Sequence, residues 1–223
     1  MNMDRYKFGV TETIILINFI FFIPYILSFI TASPFFYNLS IYYLGLNINS
    51  PYGFLSINNG AIWQVLTAMF MHGGLGHIIF NMYGLYIFGK PLELRWGGAR
   101  FLSFYLTTGI LANIASVIVY IFSKNSITLI GASGAVYAVL LAFGAYYPDV
   151  KLLLFFFIPI KVKWAILLFT VLSLFFQFSN IANFIGHLTH LFGFLFSFLY
   201  LLIFFRINAI KKMFFSKDDY IIY

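Results

Sequence analysis

A serine and a histidine sit in apolar surroundings where such side chains are costly and are usually kept for function. Gly131-Ala132-Ser133-Gly134 opens one hydrophobic stretch, and His190-Leu191-Phe192-Gly193 lies near the start of another. Serine is a weak nucleophile until a base takes its proton, and histidine is the usual base near neutral pH. If the fold brings them together, the chemistry is acyl transfer. A third segment carries His72, His77 and Asn81. His77 and Asn81 are four residues apart and share a helix face. With the Ser133 backbone N–H they can supply donors to an oxyanion. His72 is turned about 140° from His77 on a helix and is expected at a loop–helix junction. Glu12, Glu93, Asp149 and the terminal acids lie away from these groups, so a Ser–His dyad is expected rather than a triad.

The elements that hold these groups must be membrane helices. The chain has 223 residues, of which 62% are hydrophobic and only 9% charged. Mean hydropathy is +0.96, and no charge occurs between Glu12 and Lys90. A soluble domain needs far more surface charge. Six apolar stretches are predicted as spans: residues 13–30, 62–88, 101–122, 133–147, 162–178 and 184–205. Most approach the ~20 residues that cross ~30 Å of hydrocarbon, and the fourth is short. The predicted organisation is a cytoplasmic segment 1–12, a six-helix domain 13–205 and a cytoplasmic tail 206–223. The connection 31–61 is long and aromatic, which suits a segment half in the interface. Cysteine is absent, which excludes disulfides and thiol chemistry.

Six spans put both termini on one side. With the termini inside, twelve of the thirteen basic residues fall inside and only Lys124 outside. This bias predicts cytoplasmic termini. It also makes the net charge of +7 a topology signal and not a nucleic-acid footprint. Ser133, His190 and the His72–Asn81 segment then all lie below the outer surface. On the fourth span Gly134, Ala138 and Ala142 form a small-residue stripe. On the sixth, Gly186, His190, Gly193 and Ser197 share a face. Small residues let membrane helices approach closely, so these two helices are expected to meet and bring His190 to Ser133. Tyr137, one turn below Ser133, is expected to pack on the imidazole, and Val139 is expected to face lipid.

Taken in order, the motifs resemble those of the rhomboid intramembrane serine proteases. The resemblance runs from Trp63 to about Tyr200. It rests on Trp63-Gln64-x-x-Thr67 leading to His72, on His72-x4-His77-x3-Asn81, and on Glu93-x-Arg95-x-Gly97. The remaining parts are Gly131-x-Ser133-Gly134 with Tyr137, and His190-x-x-Gly193. It implies Ser133 as nucleophile and His190 as general base. It implies His77, Asn81 and the Ser133 amide as the oxyanion site, with His72, Gly131 and Tyr137 in support. Substrates are implied to be membrane-spanning helices cut near the outer leaflet, at small residues. Two departures stand out: the family often has Trp-Arg at Trp63-Gln64, and Gly at Ser197.

Other readings of the same residues lead elsewhere. A serine at a helix start is a common N-cap, and His187 is a second candidate base three residues before His190. The spacing to Gly193 favours His190. Four histidines on two helices could bind iron or zinc, but no acidic ligand and no HExxH accompany them. A non-enzymatic binder of membrane helices is the other rival. The expectation is therefore a multi-pass protein of a prokaryotic plasma membrane. Its partners are the bilayer and membrane-protein substrates, with no metal, cofactor or nucleic acid.

Overall fold

The computed structural model describes residues 8–50, 55–122, 126–154, 157–178 and 186–215. Residues 1–7 and 216–223 of the predicted terminal segments lie outside these residues, as do the start of the sixth predicted span and Lys124. At the centre lies α8 (Ser133–Tyr146), buried from Gly134 to Val136 and from Ala138 to Ala145. A helix that is apolar all round belongs inside a bundle. Val139 is fully buried, which corrects the expectation that it faces lipid: uniform hydrophobicity leaves no polar face to mark direction. At 14 residues, α8 spans only about 21 Å, so protein and not lipid must surround it.

Around α8 pack α7 (Gly98–Tyr120), α9 (Val162–Phe178) and α10 (His187–Phe204). The α8–α10 contact is the closest. A Cβ on Gly193 would strike the carbonyl oxygen of Gly134, and one on Gly134 would come 3.0 Å from Thr189 Cγ2. Ser197 Oγ donates to the Ala138 carbonyl at 2.7 Å. Ser197 thus adds an interhelical hydrogen bond without losing the approach. Thr189 and Ser116 hydroxyls, 2.7 Å apart, tie α10 to α7.

The predicted second span needs correction. Residues 62–88 are not one helix. The chain forms α4 (Gln64–Thr67) and a 3-10 turn over Ala68–Phe70, breaks at Met71 to Gly74, and restarts as α5 (Leu75–Gly84). The two helical parts are bent by 94°. Apolar residues flank the bend on both sides, and its mark in the sequence is His72-Gly73-Gly74, where the glycines are poor helix formers. A π turn over Leu85–Gly89 then leads into α6 (Lys90–Trp96). Pro91 has no N–H for the helix ladder, which accounts for the local loosening. Among the described residues, three helical segments alone are long and apolar enough to cross a membrane: Val10–Ile30, Gly98–Tyr120 and His187–Phe204. The first consists of α1 (Val10–Phe21) and α2 (Ile23–Ile30), joined at Phe22 just before Pro24.

The bundle is mostly helical, but two short ribbons interrupt the all-α expectation. After α3 (Phe35–Leu44), β1 (Leu46–Ile48) pairs antiparallel with β2 (Ile127–Leu129). β3 (Lys151–Leu154) pairs with β4 (Ile158–Lys161) beyond the other end of α8. A buried amide knot holds β1. Gln64 Oε1 accepts from Asn47 N at 3.0 Å, and Gln64 Nε2 donates to Leu55 O at 3.1 Å. Trp63 Nε1 donates to Tyr43 O, and Thr67 Oγ1 to Leu44 O. Gln64 thus anchors the long first connection without burying a charge, which would be costlier than a neutral amide.

The opposite end is fastened by charge. Glu93 accepts from the first-turn amides of α1, Val10 N at 2.7 Å and Thr11 N at 3.0 Å. Those amides have no intrahelical acceptor, and a carboxylate suits the positive end of the helix. Lys90 Nζ bridges Glu12 at 2.8 Å and Glu93 at 3.7 Å. The chain ends its described part with α11 (Ala209–Phe215).

Gly193→Leu should force α8 and α10 apart. Overpacking of this kind typically costs about 1–3 kcal/mol. The unfolding midpoint in detergent should drop accordingly, while Val119→Leu, at an exposed position on α7, should leave it unchanged. Equal midpoints for the two variants would contradict the close approach.

Candidate active site

Ser133 is the first residue of α8, so its N–H belongs to the turn that lacks intrahelical acceptors. It does not act as the N-cap; that position is Ala132. The approach is made by Gly131, whose φ of +120° suits only glycine and whose N–H donates to Ala68 O at 2.9 Å. A Cβ there would sit 2.7 Å from His77 Nε2. Gly131 thus lets the loop before Ser133 lie directly on the His77 ring.

His190, in the first turn of α10, reaches the same point from the facing helix. Its Nε2 is 2.7 Å from Ser133 Oγ. Tyr137 stacks on the imidazole with centroids 4.1 Å apart and planes 15° from parallel. Phe194 closes the far side of Tyr137 at 5.0 Å. His190 Nδ1 is buried and has no partner among the described residues. The ring is therefore oriented by stacking and by Ser133 itself. Among the described residues, no carboxylate performs that task.

His77 faces the site from α5. Its Nδ1 lies 3.3 Å from the Gly73 N–H. Accepting that bond places the ring proton on Nε2, the nitrogen next to Gly131. His72, in the break before α5, is buried. Its ring meets His77 edge-on at 4.9 Å, and its Nδ1 is 3.3 Å from Phe70 O. Asn81 is turned away: its amide donates to the His77 carbonyl at 2.8 Å, within its own helix. His187 lines the same space but stacks on Phe176 at 5.2 Å and meets His190 edge-on at 5.8 Å. Among the described residues, no three metal-binding side chains stand close enough to share an ion.

Ser133, His190, His77 and Gly131 line a cavity of about 530 Å³. Its wall also holds residues the motifs did not indicate: Ala68, Asn113, Thr128 and Thr189. Asn113 gives an amide hydrogen to Val65 O at 2.8 Å. It was detectable as an amide in a charge-free span. Ala68 and Thr128 have no such signal, because only the bend after α4 and the β1–β2 pairing carry them there.

What fold and site define is a membrane-embedded helical bundle with a serine–histidine contact at the recessed start of its central helix. Residues 59–207 match the family model described as Rhomboid domain, and the chain belongs to the rhomboid family. It is similar to YdcA of Bacillus subtilis, at 33% identity over 149 residues, covering 65% of this chain and 70% of that protein. Rhomboid protease GluP of Bacillus subtilis is 38% identical over 84 residues, covering 38% of this chain and 16% of that protein. RHOMBOID-like protein 6, mitochondrial, of Arabidopsis thaliana is 40% identical over 73 residues, covering 33% of this chain and 22% of that protein. The chain therefore spans less than a quarter of the latter two.

Gly131→Ala places a methyl group against His77 in a backbone conformation that disfavours it. Strain of this sort costs on the order of 1–3 kcal/mol. The variant should unfold at lower temperature in detergent than wild type, whereas Gly76→Ala, in open space on α5, should not. An unchanged midpoint for Gly131→Ala would show that this contact is not tight.

Proposed function

We propose that this rhomboid-family chain is an intramembrane serine endopeptidase that cuts membrane-spanning helices with a Ser133–His190 dyad. The observation that carries this is the 2.7 Å contact between His190 Nε2 and Ser133 Oγ, opening on the cavity. Named proteases among the relatives support it. Neutral His190 accepts the Ser133 proton as Oγ attacks the scissile carbonyl. The same nitrogen then protonates the leaving amine, and a water admitted by the cavity hydrolyses the acyl-enzyme with His190 again as base. Tyr137 holds the ring in plane. Charge on the tetrahedral oxygen falls to the Ser133 N–H and His77 Nε2–H, at the positive end of α8. Asn81 joins them by swinging from the His77 carbonyl, and His72 buttresses His77.

The proposed topology has six spans, with α4–α6 counted as one bent span. Residues 1–12 and 206–223 are cytoplasmic, and 13–205 form the protease domain. The basic-residue bias supports this orientation, with Ser133 toward the outer leaflet of a prokaryotic plasma membrane. The preference for small substrate side chains at the cut is what the family resemblance implies.

The decisive assay reconstitutes the purified protein with a transmembrane substrate bearing a small-residue site. Ser133→Ala and His190→Ala should each abolish cleavage, because neither group works without the other; His187→Ala should keep it. A live Ser133→Ala variant ends the proposal. Only the neutral imidazole can accept the serine proton. Cleavage should therefore fall about tenfold per unit as pH drops below the pKa of the base.

A second measurement addresses the oxyanion. His77→Ala should bind substrate yet lower kcat by about 10²–10³-fold, as loss of one such donor does. Asn81→Ala should lose less, since its amide is engaged elsewhere before substrate arrives. A wild-type kcat in His77→Ala would remove it from the mechanism.

A further inference from the structure

At the end of α8 away from Ser133, segments 149–163 and 206–215 carry six basic side chains and a single acid, Asp149. The β3–β4 register sets Lys151 directly opposite Lys161 and Leu153 opposite Pro159. Strand residues alternate in direction, so these four share one face. Like charges directly opposite each other destabilise a ribbon. Asp149 relieves only part of this. Its carboxylate pairs with Lys161 and Lys163, each at 2.9 Å, and their hydrogen bonds, Lys161 first, hold it below the usual carboxylate range. Among the described residues, Lys151 has no ion pair. The ribbon also turns large apolar groups outward: Leu153 is 63% exposed and Phe157 is 73% exposed.

The surface continues beyond the ribbon. Trp164, in the first turn of α9, meets Phe214 of α11 with ring centroids 5.7 Å apart. α11 buries Ala209 and Met213, with the Met213 sulfur packed where Gly144 of α8 leaves room. Lys211 and Phe215 remain outward. Water suits the lysines and not the aromatic and aliphatic groups. Hydrocarbon does the reverse. Both are satisfied only in the headgroup layer, where apolar side chains enter the acyl boundary and lysines stay with phosphates. The six-to-one charge ratio selects anionic headgroups over zwitterionic ones.

We propose that the β3–β4 ribbon and α11 form one interfacial platform that binds the headgroups of anionic phospholipids in the leaflet at that end of the bundle. The occupant is the lipid surface; a nucleic acid would leave Leu153, Phe157 and Phe215 in water. The platform is independent of the Ser133 cavity, so its test does not depend on proteolysis.

The chain has no cysteine, so Phe157→Cys can carry an environment-sensitive dye as the only label. In nanodiscs containing phosphatidylglycerol the dye should shift to shorter wavelength than in pure phosphatidylcholine. Salt, or Lys151→Gln with Lys211→Gln, should reverse the shift. Unlabelled wild type should also prefer spin-labelled phosphatidylglycerol over spin-labelled phosphatidylcholine. That preference should weaken by up to about fivefold for each lysine neutralised. The same dye shift in both lipids, or no lipid preference in wild type, overturns the proposal. A shift reproduced in phosphatidylcholine by inorganic phosphate alone would mean a free-anion site and would overturn it as well. Cleavage in phosphatidylcholine should be unchanged by the two lysine variants.

Discussion

The proposed dyad needs a hydroxyl and an imidazole in hydrogen-bond contact inside a membrane, and the approach of α8 to α10 is what permits it. The two helices touch backbone to backbone at Gly134 and Gly193, where a single Cβ would not fit. One turn toward the site, that separation lets His190 Nε2 reach Ser133 Oγ at 2.7 Å. Further down, Ser197 fastens the same interface to the Ala138 carbonyl. Lipid offers no hydrophobic force to hold helices together, so close packing and interhelical hydrogen bonds must do so. The shortness of α8 follows from the same arrangement. Enclosed by α7, α9 and α10, it need not match the bilayer, and its first turn can lie recessed at a cavity.

Recessing the site creates a second problem, which the bend between α4 and α5 answers. A continuous helix over residues 62–88 would carry His77 past the start of α8. Breaking at Met71 to Gly74 lets Ala68 receive the Gly131 N–H and sets His77 under Gly131. The irregular backbone this exposes is satisfied within protein, as membrane depth demands. Ala68 O accepts from Met71 N and Gly131 N, Phe70 O lies 3.3 Å from His72 Nδ1, and Gly73 N donates to His77 Nδ1. The neutral Gln64 achieves with three hydrogen bonds what a buried arginine would achieve only with a counter-charge.

Polarity is distributed unevenly along the molecule. Among the described residues, the site end is held by neutral groups, amides and hydroxyls, with no fixed charge beside the proposed dyad. The other end is held by ions: the Glu12–Lys90–Glu93 cluster caps α1, and lysines crowd the β3–β4 ribbon. Such a division suits the proposed mechanism, which needs a neutral imidazole, and the proposed headgroup platform, which needs charge.

The sequence by itself determined the membrane class, the approximate helices, the motif residues and the small-residue faces of the fourth and sixth spans. Each of these is written in local composition or in a fixed spacing along a helix. Tertiary structure decided the angle and direction of the bend after Phe70: Gly73-Gly74 weaken the helix there, but hydrophobicity is the same on either side. It decided that Val139 is interior, because an apolar helix does not reveal which side meets lipid and which meets protein. It also set His190 against Ser133 and left His187 on Phe176. The spacing to Gly193 favours His190 over its neighbour His187, and the packing of α10 on α8 is what brings its ring to the serine.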